Sequence, residues 1–174
     1  QEVAARAEAQ AAAEPKNANA HYWMAYALGR YSQGISVAKA LAQGLGGKIR
    51  DALLTAIKTN LASGLPAIFG FTVYSSYTQA SAANKGAIPY PVTGDKVVGG
   101  HAVMVVGYND TIQIKNTAAG SATTTGALLI RNSWGTGWGD GGYGWLPYEY
   151  VLKGQAVDWW TLISAEWVDT GKFA

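Results

Sequence analysis

The spacing of apolar residues changes once along this chain of 174 residues, and that change restricts the fold class. Between residues 47 and 63 the apolar positions recur at helical spacing, and Gly64 follows where a helix C-terminal stop belongs. From residue 66 onward, short apolar runs rich in β-branched and aromatic residues are separated by segments that contain glycine and proline. Helices followed by consecutive strands predict an α+β fold with an antiparallel sheet or barrel-like subdomain.

The individual elements follow from the same patterns. Strands are predicted at 66–74, 98–108, 126–132, around 142–146 and at 160–168, with a small helical turn and a loop over 75–97 and a loop over 109–125. Residues 1–14 predict a helix that ends at Pro15 and packs weakly, because its apolar face is almost entirely alanine. Residues 21–45 contain three glycines and predict irregular structure with short helices. We therefore divide the chain into an Ala-rich helical segment, 1–47, of uncertain role and a second domain, 48–174.

Composition excludes several classes of function. The net charge of +2 is too small to favour nucleic acid as a partner, and no apolar run reaches the ~18 residues of a membrane span. The chain contains no cysteine, so thiolate metal sites, iron–sulfur clusters and thiol nucleophiles are absent from these residues. The two histidines, His21 and His101, are far apart in sequence, which argues against a histidine-based metal site. We expect no cofactor and no metal, and the cysteine count does not specify a compartment.

Two segments contain the residues best suited to chemistry, GGHAVMVVGY at 99–108 and IRNSWGTGWGDGGYGWLPYEY at 130–150. His101 lies inside an apolar strand, where its ring needs a hydrogen-bond partner. Asn132 ends a later strand, and its amide oxygen could accept from the imidazole, which would set the tautomer and leave the other ring nitrogen for a reactive group. Trp134 could cover the pair and exclude water.

These residues alone leave alternatives open. A single histidine in a strand is more often a satisfied core residue than a catalyst, and a turn rich in glycine and tryptophan is more often structural. His21, beside two aromatic residues, is interpreted as a packing or surface residue. The tryptophans at 159, 160 and 167 fit either core packing or an interface.

The two segments resemble the histidine and asparagine segments of papain-like cysteine peptidases, in the order in which that family has them. Upstream, SGLPAIFGFTVYSSY at 63–77 and GAIPYPVTGDKVVGGHAV at 86–103 are similar to the corresponding stretches of bacterial members. The resemblance covers roughly residues 48–152. It implies a papain-like fold in which His101 is the general base and imidazolium partner of a cysteine, Asn132 orients the ring and Trp134 shields the pair.

The family's nucleophile is missing from this chain. A papain-type cysteine precedes its histidine by ~130–150 residues, which places it about 29 to 49 residues before Gln1. The family's oxyanion glutamine would lie there too. Ser133 has no G-x-S-x-G context and is not a substitute. We therefore expect the chain to begin after the catalytic helix and to be inactive alone.

Two hypotheses about function follow. In the first, the chain is the C-terminal part of a peptidase that cleaves polypeptides by a Cys-His-Asn mechanism, with the cysteine on an upstream segment or a separate chain. In the second, a non-catalytic papain-like module, a pseudoenzyme, serves as a binding or structural component of a larger assembly such as a viral particle.

Overall fold

The structure is a computed structural model that describes residues 1–161. Five α-helices and five β-strands make up most of the described chain. The helices are α1 Glu2–Ala13, α2 Ala18–Gln33, α3 Val37–Ala42, α4 Leu45–Ala62 and α5 Glu149–Leu152. The strands are β1 Ala67–Tyr74, β2 Val97–Lys115, β3 Thr123–Arg131, β4 Tyr143–Pro147 and β5 Ala156–Thr161. Short 3-10 helices cover Ser75–Gln79 and Ala82–Asn84. Within the described residues, no helix is both long and apolar enough to cross a bilayer.

The strands form one antiparallel sheet in the order β4-β3-β2-β1-β5. The longest strand, β2, lies at the centre and pairs with β1 on one side and β3 on the other. Residues 86–88 cover part of the β4 edge, since Ile88 donates its backbone N–H to the carbonyl of Trp145 and the N–H of Trp145 is bonded to the carbonyl of Gly86. The predicted α+β class with an antiparallel sheet is confirmed.

Helix α4 packs its apolar face on the sheet, as its spacing predicts. Leu54, Ile57 and Leu61 contact the main core, and Gly64 adopts a left-handed conformation just beyond the helix end. The core consists mainly of buried residues from the sheet and from the segment around α5: Phe69, Phe71, Ile88, Val103, Val105, Leu128, Ile130, Leu146, Tyr150 and Val151. Burial of each such large side chain contributes roughly 1.5–3 kcal/mol, so this face of the sheet supplies most of the hydrophobic stabilisation.

The prediction of irregular structure over 21–45 is wrong for its first half. Residues 18–33 form a continuous helix, α2, whose N-terminus is capped by Asn17: its side-chain oxygen accepts from the backbone N–H groups of Asn19 and Ala20. Gly29 inside the helix costs about 1 kcal/mol relative to alanine. Contacts with α1 and α4 offset that cost, because Leu28 is buried in a second cluster with Ala4 and Leu45. Helix α1 ends at Ala13, two residues before Pro15, as the position of that proline predicts.

Two strand predictions need correction. Strand β2 continues past Tyr108 to Lys115, and β3 begins at Thr123, so most of the predicted 109–125 loop is a β-hairpin with a register shift between Asn109 and Gln113. Cross-strand pairing stabilises this polar hairpin although its sequence has loop composition. Strand β5 begins at Ala156 rather than 160, and residues 162–168 of the predicted strand lie outside the described residues.

The tryptophans of this last region have different environments. Trp159 stacks on Phe69, with ring centroids 4.1 Å apart, and so packs against the core. The neighbouring Trp160 is 74% exposed. Trp167 lies outside the described residues.

The glycine-rich segment between β3 and β4 folds back tightly on itself. Gly144 is buried, and a Cβ atom there would lie 2.5 Å from Cη2 of Trp138 and 2.6 Å from the carbonyl oxygen of Gly86. Real Cβ atoms do not approach other atoms so closely, and the Gly86 backbone is already paired with β4. Glycine at this position therefore leaves room for the Trp138 ring beside β4.

We predict that Gly144→Ala lowers the free energy of unfolding by about 1–3 kcal/mol through steric overlap with Trp138 and Gly86. The matched control is Gly137→Ala, because no described atom lies within 4 Å of the place that its Cβ would occupy and its φ is ordinary. Thermal and urea unfolding of both variants measure the difference. Equal stability of the two variants would contradict the packing argument.

A loop carboxylate connects residues 91–96 to the end of β1. Asp95 accepts hydrogen bonds from the backbone N–H of Val92 at 2.9 Å, from the hydroxyl of Ser75 at 2.8 Å and from the backbone N–H of Ser76 at 3.1 Å. Burial by itself would raise the pKa of Asp95, but these hydrogen bonds outweigh it and hold the pKa below its usual range.

We predict that Asp95→Asn destabilises the fold at pH 7 by about 1–2 kcal/mol, because the new NH₂ group faces donors that need an acceptor. Because the folded pKa is depressed, the carboxylate's contribution is fully present above its unfolded pKa of ~3.9 and is lost as the pH falls through the lower folded value. The difference in unfolding free energy between wild type and variant should therefore be constant well above pH ~3.9 and shrink as the pH falls below it. Asp51→Asn, on an exposed position of α4, is the control and should have no such effect.

Candidate active site

The imidazole of His101 lies on β2 at the core face of the sheet. His101 pairs with Phe71 of β1, and the two rings meet edge to face with centroids 5.9 Å apart. The ring is half-buried. Gly99 borders open space, because no described atom lies within 4 Å of where its Cβ would be, and a Cβ on Gly100 would lie 3.9 Å from the carbonyl oxygen of Phe71.

The carboxamide of Asn132 meets this imidazole just beyond the end of β3. Oδ1 of Asn132 lies 3.0 Å from Nε2 of His101 and also accepts the backbone N–H of Ser133 at 2.8 Å. Asn132 is 4% exposed, and its own backbone N–H donates to the carbonyl of Gly142. Because Oδ1 can only accept, a hydrogen bond here requires the proton of the neutral imidazole on Nε2. The other ring nitrogen, Nδ1, makes no hydrogen bond within residues 1–161.

Trp134 lies against the pair. Its ring centroid is 5.3 Å from that of His101, with the planes tilted by 32°. The indole also contacts Tyr77 and Trp138 edge to face, at 5.5 and 6.0 Å. Trp134 is 56% exposed, so it covers one side of the imidazole while its outer face meets solvent. The structure thus brings together the three side chains singled out from the sequence.

A groove of about 450 Å³ opens beside His101 and Trp134. Its walls come from the end of β1, the following 3-10 helix and the start of β2. The lining residues are Val73, Tyr74, Ser75, Tyr77, Thr78, Val98, Gly99, Gly100, His101 and Trp134. The lining is mostly apolar apart from the imidazole and a few hydroxyl groups.

Tyr77 is a site residue that the sequence did not identify. Its ring is buried, and its hydroxyl lies 3.2 Å from Nδ2 of Asn132. Burial raises its pKa to about 12, although the Asn132 hydrogen bond acts in the opposite direction. Tyr77 ends the segment SGLPAIFGFTVYSSY, but nothing in that segment indicates contact with a residue 55 positions later.

The second histidine has a different environment. His21 lies on α2, where Nε2 is 3.0 Å from the carbonyl oxygen of Pro15. Within the described residues, no cluster of three or more His, Asp or Glu side chains is arranged to hold a metal ion.

Comparison with known proteins identifies the family to which this chain is similar. The sequence model described as papain family cysteine protease matches residues 19–153, which includes part of the N-terminal segment 1–47. The chain is 34% identical over 107 residues to the uncharacterized peptidase C1-like protein L477 of Acanthamoeba polyphaga mimivirus, covering 61% of this chain and 30% of that protein. The crystal structure of xylellain, a cysteine protease from Xylella fastidiosa, superposes with a TM-score of 0.51 at 38% identity, covering 65% of this chain and 37% of xylellain.

The chain therefore spans about a third of the length of these relatives, and its resemblance to bacterial members agrees with the similarity to xylellain. The family match covers 135 of 174 residues and includes both the histidine and the asparagine segments. This chain belongs to the papain family of cysteine proteases.

Proposed function

We propose that this chain supplies the histidine and asparagine of a cysteine peptidase whose thiol comes from another polypeptide segment, either upstream in the same protein or on a separate chain. Its substrate is a polypeptide bound in the groove beside His101. The single observation that carries the proposal is the 3.0 Å contact between Nε2 of His101 and Oδ1 of Asn132. A non-catalytic family member would have no functional reason to keep the hydrogen bond between His101 and Asn132 beneath Trp134.

In the proposed mechanism each ring nitrogen has a separate task. Asn132 engages Nε2, so Nδ1 is the nitrogen left to exchange a proton with a thiol on the open side of the ring. Nδ1 takes the thiol proton, and the thiolate sulfur bonds to the peptide carbonyl carbon. The imidazolium then returns that proton to the amine nitrogen as the carbon–nitrogen bond breaks. Water, deprotonated by Nδ1, hydrolyses the resulting thioester and regenerates the thiol.

Trp134 and the groove support this chemistry. The indole covers the imidazole on one side and lowers the local dielectric, which strengthens the hydrogen bond to Asn132. Gly99 lines the groove and borders open space, where a second element could approach His101. A thiol-bearing helix N-terminus placed there would complete the pair, since a helix dipole and an adjacent imidazolium both stabilise a thiolate.

The test uses the complete polypeptide that contains the cysteine, with fluorescein-labelled casein as substrate. We predict that His101→Ala lowers kcat/KM by about 10²–10⁴-fold, the range of a general acid–base residue. Asn132→Ala should lower it by about 10²-fold, because the ring is then misplaced rather than absent. The 174-residue chain alone should neither cleave casein nor react with iodoacetamide, since it contains no thiol.

His21→Ala is the matched control and should retain full activity. This histidine lies on α2, and its hydrogen bond is to the carbonyl oxygen of Pro15. A coding sequence with no cysteine upstream of residue 1 and no cysteine-bearing partner would overturn the proposal. It would favour the alternative, a non-catalytic papain-like module in a larger assembly. Activity that survives His101→Ala would equally contradict the assigned role.

A further inference from the structure

Tyr77 is buried and packs against three aromatic rings around the His101–Asn132 pair. Its ring lies parallel to Trp138, with centroids 6.1 Å apart and planes within 8°, and meets Trp134 edge to face at 5.5 Å. Phe71 contacts the same ring at 6.0 Å. Packing on several sides fixes the position of the hydroxyl, which lies 3.2 Å from Nδ2 of Asn132.

The carboxamide of Asn132 has two possible orientations, and its neighbours favour one of them. In the observed orientation, Oδ1 accepts from Ser133 N–H and from Nε2 of His101, and Nδ2 donates to the hydroxyl oxygen of Tyr77. Rotation by 180° would place NH₂ against the Ser133 N–H, a donor against a donor. Only the observed orientation satisfies all of these groups at once.

The contribution of the Tyr77 hydroxyl is separate from that of its ring. Without the hydroxyl, Nδ2 of the buried Asn132 would lose its hydrogen-bond acceptor, which is unfavourable for a buried donor. Only the Ser133 N–H would then oppose rotation of the carboxamide, and rotation carries Oδ1 away from His101. The hydroxyl therefore acts together with the Ser133 N–H to keep Oδ1 in place, although a phenylalanine ring would fill the same space.

We propose that Tyr77 is a positioning residue: its hydroxyl accepts the Nδ2–H of Asn132, which keeps Oδ1 on Nε2 of His101 and the neutral imidazole in its Nε2–H tautomer. Burial keeps this hydroxyl neutral across the working pH range, because it raises the pKa of Tyr77 to about 12. The tautomer effect depends on the described contacts alone. Its consequence for catalysis rests on the function proposed above.

The test is the ring ¹⁵N NMR spectrum of the 174-residue chain labelled at histidine, recorded where the imidazoles are neutral. Wild type should show His101 with a protonated Nε2 and an unprotonated Nδ1. In Tyr77→Phe, we expect the population of the Nδ1–H tautomer to rise by about tenfold, which corresponds to the loss of one hydrogen bond. The signals of His21 should stay unchanged and serve as an internal reference.

Tyr150→Phe is the matched control. Tyr150 is also buried and also contacts Phe71, at 5.7 Å, but its hydroxyl donates to the carbonyl of Pro89. Both variants should lose similar stability on heating, while only Tyr77→Phe should change the His101 nitrogens. Unchanged His101 signals in Tyr77→Phe, or equal changes in both variants, would overturn the proposal.

A measurement on wild type covers the case in which Tyr77→Phe does not fold. One of the two Nδ2 hydrogens of Asn132 should exchange slowly with D₂O, because it is buried and bonded to the Tyr77 hydroxyl. Fast exchange of both would overturn the proposal. None of these readouts needs a thiol or turnover, so failure of the proposed peptidase function would leave them unaffected. In an active complete protein, Tyr77→Phe should lower kcat and leave KM nearly unchanged.

Discussion

The candidate site depends on the register of β2 between its two neighbours. The pairing of Phe71 with His101 sets which face of the sheet the imidazole occupies, and the pairing of Met104 with Arg131 brings the end of β3 close to it. Asn132 directly follows Arg131, so its Oδ1 lies 3.0 Å from Nε2 of His101. Side chains alternate between faces along a strand, so a slip of one residue would put His101 on the opposite face from the core and break the contact.

An aromatic cluster then gives the pair its surroundings. Tyr77, Trp134 and Trp138 are in mutual contact, and Trp138 can occupy its place only because residue 144 is glycine. Of these rings, Trp134 lies against the imidazole, and the groove opens beside both side chains. A catalytic base needs this combination, since one ring nitrogen must be fixed and the other must reach a reactant. The site thus has the parts that orient a histidine, in a chain without cysteine.

The sequence predicted local elements well where one periodicity dominated. Helix α4 and strand β1 were placed to within about two residues. The prediction failed where tertiary contacts outweighed local preference. Glycines suggested that 21–45 would be irregular, but α2 forms because Leu28 is buried between its neighbours. The β2–β3 hairpin likewise extends through polar residues, because pairing continues without an apolar pattern. The division of the chain at residue 47 stays a prediction, and the family match begins at residue 19.

The sequence by itself determined the fold class, the family and the three side chains of the candidate site, because the segments around His101, Asn132 and Trp134 are long and contain rare residues in a specific order. The tertiary structure alone decided which nitrogen of the imidazole is bonded, how far Trp134 covers it and that Tyr77 contacts Asn132. These features depend on distances between residues far apart in the chain. A sequence pattern carries the spacing of residues along one strand or helix, whereas strand register and ring packing set the distances between strands.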